Sequence, residues 1–145
     1  MRKLLIVLPA LLLAACGQNE KKEAGEQVNC QPGGQSLLQS CTMKSCMQIT
    51  WGKTLEQTIN PNELLLAAQV AQETMENGVP GQAASWKSCS VTGSIIPTNY
   101  YQTRGGQHCR EYALTMHIVK GSTNMRRHGL ACRKASGIWE TVREE

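Results

Sequence analysis

Hydrophobic residues fall into distinct regimes along the chain, and each regime predicts a different kind of segment. Positions 4–13 are apolar apart from Pro9, follow Arg2 and Lys3, and lead into Ala14 and Ala15. Ten such residues are about half of the roughly 20 a membrane-spanning helix requires, so 1–15 reads as an export signal. From 17 to 35 almost nothing is apolar, and Pro32-Gly33-Gly34 closes the stretch. That composition predicts a flexible tether, with a reach of about 20–25 Å. Residues 36–59 carry Met43, Met47, Ile49 and Trp51 without a period and are assigned no element.

A helical period appears at 60–77. Leu64, Ala68, Ala71 and Met75 line one face, widened by Leu65 and Leu66, while Gln69, Gln72, Glu73 and Glu76 are expected mostly away from it. Asn60 suits the N-cap, Pro61 the first helical position and Glu63 a capping box. Gly78 and Pro80 end the element.

Beyond a linker at 78–83 the period becomes two. Candidate strands are 85–91, 94–101, 108–119, 125–133 and 138–142, separated by Gly93, Gly105-Gly106, Gly121 and Ser136-Gly137. Pro97 restricts the second to an edge or a bent run. In the third, Tyr112, Leu114, Met116 and Ile118 share one face, with Cys109, Glu111, Thr115 and His117 on the other. A hairpin turning between Lys120 and Gly121 sets Cys109 opposite Cys132 as a disulfide, Tyr112 opposite Gly129 and Met116 opposite Met125. The expected fold is α+β: one N-terminal helix packed on a small antiparallel β-meander of four to five strands, stapled by disulfides, over 60–145.

Seven cysteines change the picture. Cys16 closes Leu13-Ala14-Ala15-Cys16, which looks like a bacterial lipobox, so 16–35 becomes a lipidated tether and outer-membrane lipid a partner through the acyl anchor. Lipidation of Cys16 leaves six cysteines, enough for three disulfides in an oxidising compartment. Cys109 pairs with Cys132; the pairing of Cys30, Cys41, Cys46 and Cys89 stays open. The chain has no Phe and only three Trp and three Tyr. With so few aromatic residues to bury, disulfides of about 2–4 kcal/mol each matter.

Charge is unevenly spread. Residues 17–83 hold four Lys/Arg against seven Glu, and 84–145 hold nine against four. Arg104, Arg110, Arg126, Arg127, Arg133 and Lys134 are therefore candidates for binding an anionic surface: lipid, lipopolysaccharide or peptidoglycan. No nucleic-acid partner is expected, because no aromatic stacking platform accompanies these charges.

Catalytic constellations are thin. His108 and Cys109 are strand neighbours pointing to opposite faces, which separates nucleophile from base. His108, His117 and His128 are scattered and the chain has no Asp, so no metal or other cofactor is expected. Between Glu76 and Glu144 the only acids are Glu111 and Glu140; near each other on neighbouring strands they would still be too few to propose glycan cleavage. No Gly-x-Ser-x-Gly elbow is present, and no enzyme is expected.

Several spaced motifs remain: Gly81 to Trp86, Cys109-Arg110-Glu111-Tyr112, Gly129-Leu130-Ala131-Cys132-Arg133 and Gly137-Ile138-Trp139. With the lipobox and linker before them, they resemble the rickettsial 17-kDa surface antigen family of outer-membrane lipoproteins over about 60–142. The glycine-zipper stretch common upstream in that family is absent, Cys89 is extra, and Ser136 stands where the family tends to have Asp. The resemblance implies an envelope location and no assigned enzymatic activity; the expected function is that of a non-enzymatic lipoprotein at the outer membrane, on its periplasmic or surface face, whose sheet module binds another envelope component. Two alternatives are an accessory lipoprotein of a secretion or conjugation apparatus, including exclusion of incoming transfer, and an inhibitor of a cell-wall hydrolase.

Overall fold

The computed structural model describes residues 44–145. The expected signal peptide, Cys16 with its lipid, the tether, Cys30 and Cys41 lie outside the described residues. Two helices precede the sheet: α1 (Lys53–Thr58) and α2 (Pro61–Asn77). The second follows from its sequence, since Asn60 Oδ1 accepts the Asn62 N–H at 2.9 Å and Pro61 takes the first position. Leu64, Ala68, Ala71 and Met75 are all buried. The first helix was not anticipated. It has six residues and no side-chain cap, too short for a hydrophobic period to register. One expected helix is thus corrected to two.

Five strands follow: β1 (Ala84–Lys87), β2 (Val91–Gln102), β3 (His108–Ile118), β4 (Thr123–Arg133) and β5 (Trp139–Glu144). They form one antiparallel sheet in sequence order, as a meander should. The β3–β4 register sets Cys109 against Cys132, Tyr112 against Gly129 and Met116 against Met125, as the sequence required. Gly93 behaves otherwise. It lies within β2 opposite Trp86, and the chain turns at 88–90 instead. A Cβ at Gly93 would run into the Trp86 indole, so this glycine marks a close approach of a ring and not a break. Pro97 sits at a register shift between Pro97 and Tyr100, on a stretch of β2 beyond the end of β1.

One face of the sheet forms the core. Val91, Ile95, Tyr112, Leu114, Met116, Ile118 and Trp139 meet Leu64, Ala67, Ala71 and Met75 of α2 there. Met47, Trp51 and Ile59 join the same cluster. The segment around Gln48 also lines the free edge of β5, with Gln48 N–H donating to Trp139 O at 2.9 Å and Thr141 N–H to Gln48 O at 3.1 Å. A single bridge of this kind shields an edge strand without leaving a periodic signature.

Two buried charges of opposite sign fix α2 to the sheet. Glu63, in its first turn and 4% exposed, accepts from Ser88 Oγ at 2.6 Å, Ser90 N at 2.7 Å and Ser90 Oγ at 2.7 Å. Burial alone would raise its pKa, but these donors and the Asn60 N–H outweigh burial and hold the carboxyl below its ordinary value. At the other end Arg110, also 4% exposed, donates to Met75 O at 3.0 Å and Gly78 O at 2.8 Å. Both signs agree with the helix dipole. Along the side, Gln72 donates to Gly137 O at 3.0 Å and accepts from Trp139 N at 3.0 Å. Gln72 and Glu76 therefore face β5, contrary to the expectation that they point away.

Candidate functional site

The face of the sheet opposite α2 carries no helix among the described residues, and a cleft of about 660 Å³ opens on it across β1 to β4. Strand alternation puts two rows of polar side chains there. Ser85, Ser94, Thr115 and Arg126 form one row, tied by a Ser94–Thr115 hydroxyl hydrogen bond of 2.8 Å. In the next row, Thr92 lies between Lys87 and His117, and His117 Nδ1 shares a 2.8 Å hydrogen bond with Asn124 Oδ1. No carboxylate lines the cleft. Lys87, not among the basic residues singled out from sequence, belongs to it because it is two residues from Ser85 on one strand face. That alternation was the signal available.

The six basic candidates do not converge. Arg110 is corrected outright: its side chain is buried beneath the helix end, so it presents no cation to solvent. Desolvation lowers its pKa. Arg127 donates to Thr50 O at 2.7 Å and Trp51 O at 3.0 Å and pairs with Glu144 at 2.9 Å. Arg133 pairs with Glu76 at 2.8 Å, and Lys134 with Glu140 at 2.8 Å. Arg104 is exposed in the β2–β3 turn. Only Arg126 of the six lines the cleft.

The groups considered for catalysis are also separate. His108 Nδ1 bonds to the Tyr100 hydroxyl, while Cys109 is joined to Cys132 with Cα atoms 4.1 Å apart. Cys46 and Cys89 are disulfide-bonded too. Glu111 and Glu140 lie on β3 and β5 with β4 between, not on neighbouring strands, and bond to Asn99 and Lys134 respectively. Among the described residues no three His, Cys or Glu side chains gather as metal ligands.

Residues 73–140 match the family described as 17 kDa outer membrane surface antigen. That stretch, just under half of the chain, is what resembles the family. Its similarity to the 17 kDa surface antigens of Rickettsia bellii and Rickettsia felis is 32% identity over 79 residues, 53% of this chain and 48% of each relative. For the Rickettsia prowazekii antigen it is 30% over 74 residues, 50% of this chain and 45% of the relative. The chain thus spans about half the length of the curated relatives it matches. No solved structure matches it.

Several motif residues of the matched module hold the fold together. Cys109 and Cys132 staple β3 to β4. Arg110 closes α2. Tyr112 covers Gly129, and its hydroxyl meets Thr141 at 2.9 Å and donates to Glu144 at 3.1 Å; burial pushes the phenol pKa up. Gly137 takes the positive φ of 87° that the β4–β5 turn needs. Trp139, 2% exposed, donates from Nε1 to Glu76 at 2.9 Å, and Arg133 reaches the same carboxylate. Those contacts, with the Arg133 hydrogen bond foremost, lower the Glu76 pKa. The matched motifs therefore specify an architecture, and the cleft lies on the face they leave open.

Proposed function

We propose that the protein is a bacterial envelope lipoprotein held at the outer membrane by an acyl chain on Cys16, with 1–15 as its signal peptide and 16–35 as its tether. Residues 36–59 and the 60–145 module carry a non-enzymatic, surface-antigen-like role, binding another envelope component. The observation that carries this reading is the match of 73–140 to a family described as 17 kDa outer membrane surface antigen. Two features support it. Leu13-Ala14-Ala15-Cys16 supplies the lipidation sequence, and the motif cysteines are engaged in a disulfide, which suits an oxidising compartment and leaves neither as a thiolate nucleophile.

The test is the intact mass and fractionation of the mature protein. Wild type should carry the mass of a lipidated Cys16 and sediment with outer membranes, whereas Cys16→Ser should be released without acyl mass. Retention of Cys16→Ser in the membrane fraction would contradict the anchor. Crosslinking in intact cells, using wild type, would then identify the envelope component it contacts.

A further inference from the structure

We propose that the cysteines outside the Cys109–Cys132 pair are joined as Cys41–Cys46 and Cys30–Cys89, so that the chain leading from the anchor is fastened to the β1–β2 turn. This rests on the envelope reading above, in which lipidation takes Cys16 out of the count of thiols. Cys46 and Cys89 are each disulfide-bonded, and Cys109 and Cys132 are taken by one another. Cys30 and Cys41 lie outside the described residues, so the positions of Cys46 and Cys89 in the sheet decide which of them each can reach.

Those positions are at opposite ends and opposite edges. Gln48 bridges to Glu140, which is in register with Cys132 and through it with Cys109. Cys46, two residues earlier on a segment parallel to β5, therefore sits at the Cys109 end of β3. Cys89 is in the β1–β2 turn, close to Val91, which is in register with Ile118 at the far end of β3. The stretch of β3 between these levels spans about 30 Å at roughly 3.3 Å per residue, and β2 to β5 lie between the two cysteines across the sheet. Helix α2 runs between the same two places: Glu63 in its first turn holds Ser88 and Ser90, and Gln72, more than two turns later, holds Trp139. A disulfide keeps its Cα atoms within about 7 Å. Cys46 and Cys89 are therefore not partners of each other.

Chain reach assigns the rest. The five residues from Cys41 to Cys46 span at most about 18 Å when fully extended, and the turn at Lys44 and Ser45 shortens that. Cys41 thus stays near the Cys46 end of the sheet and does not come within bonding distance of Cys89. The eleven residues back to Cys30 extend to about 36–40 Å, enough to bring Cys30 to Cys89. Each bond forms as two thiols give up two protons and two electrons to a disulfide-bearing oxidant, itself reduced to a dithiol. The anchor then pulls from a different place. The fourteen residues from Cys16 to Cys30 have an r.m.s. reach of about 19–22 Å and join the module at the β1–β2 turn, the opposite end from Lys44. The end of the sheet with the β1–β2 and β3–β4 turns becomes the end nearest the membrane.

Disulfide mapping of the full-length lipidated protein tests this. Free thiols are blocked with N-ethylmaleimide, and the unreduced protein in neutral detergent is cut with pepsin, then with trypsin at mildly acidic pH to prevent exchange. Pepsin cuts at Leu37-Leu38, between Cys30 and Cys41, and trypsin after Lys44, between Cys41 and Cys46. Mass spectrometry should find Cys30 linked to Cys89 and Cys41 to Cys46, with both links lost on reduction. In Cys30→Ser, maleimide labelling of Cys89 should rise from none to stoichiometric while Cys46 stays unlabelled; Cys41→Ser should do the converse. A Cys30–Cys46 or Cys41–Cys89 link, with Cys16 carrying its acyl mass, overturns this pairing alone. A link to Cys16 overturns the pairing and the anchor together.

Discussion

Tyr112 covers Gly129 across the β3–β4 ladder, so that a Cβ at position 129 would overlap the phenol ring. The backbone at Gly129 has no positive φ, and the need for glycine there is steric. Gly129→Ala is expected to lose about 1–3 kcal/mol through overpacking, read as a lowered urea midpoint. Tyr112→Leu frees the space, so combining the two should cost less than the sum of the single losses. Strict additivity would mean that the ring does not occupy that space in solution.

Cys109 and Cys132 close a loop with a sequence separation of 23 and face each other in the same ladder. Chain-entropy reasoning gives about 3 kcal/mol for a loop of this size. Cys109→Ser and Cys132→Ser should each lose a similar amount, and the double variant no more than either alone. Losses that add would show the two thiols to be unpaired.

The same ladder explains which parts of the fold were legible. Its register follows from three coincident pairings, Cys with Cys, Tyr with Gly and Met with Met, each of which a slip would break. Helix α2 was legible because Asn60, Pro61 and Gly78 bound it and its apolar period repeats over 17 residues. What escaped depends on contacts distant in sequence. The segment near Gln48 is held by β5 and Arg127, and nothing local in it is periodic. Arg110 reads as a surface cation until the end of α2 is brought against it. Gly93 resembles a turn residue until Trp86 is folded over it. Lys87 stands apart in sequence from the other basic residues, and only its alternation with Ser85 on β1 brings it to the cleft.

Arg110 gives the third prediction. Its guanidinium donates to carbonyls at the end of α2, and Nε is buried without a partner. Arg110→Met preserves much of the side-chain length and removes the donors, leaving Met75 O and Gly78 O short of partners. Loss of hydrogen bonds from a charged donor predicts a destabilisation of about 1.5–3 kcal/mol, with hydrogen exchange accelerated in the last turn of α2. If Arg110 served instead as a surface cation for ligands, Arg110→Met would leave the urea midpoint unchanged.

Glu63 makes stability depend on pH in a defined direction. Its pKa lies below the ordinary 4.5 because hydrogen bonds from Ser88, Ser90 and Asn60 outweigh the desolvation that would raise it. The unfolded chain then binds the proton more readily than the folded one. Stabilisation from this carboxylate is full above the unfolded pKa and is lost as pH falls through the lower folded value. Glu63→Gln cannot ionise: its carbonyl can still accept from Ser88 Oγ and Ser90 N, but those bonds lose their charge, and its NH2 replaces the oxygen that accepts from Ser90 Oγ. At pH 7 it should be less stable than wild type by about 1–3 kcal/mol. That gap should narrow steadily below pH 4.5, as wild-type Glu63 takes up its proton and loses the same contacts. Urea midpoints of both proteins between pH 7 and pH 3 measure it. A gap that stays constant across this range would mean that Glu63 does not hold the start of α2 to the β1–β2 turn as a carboxylate.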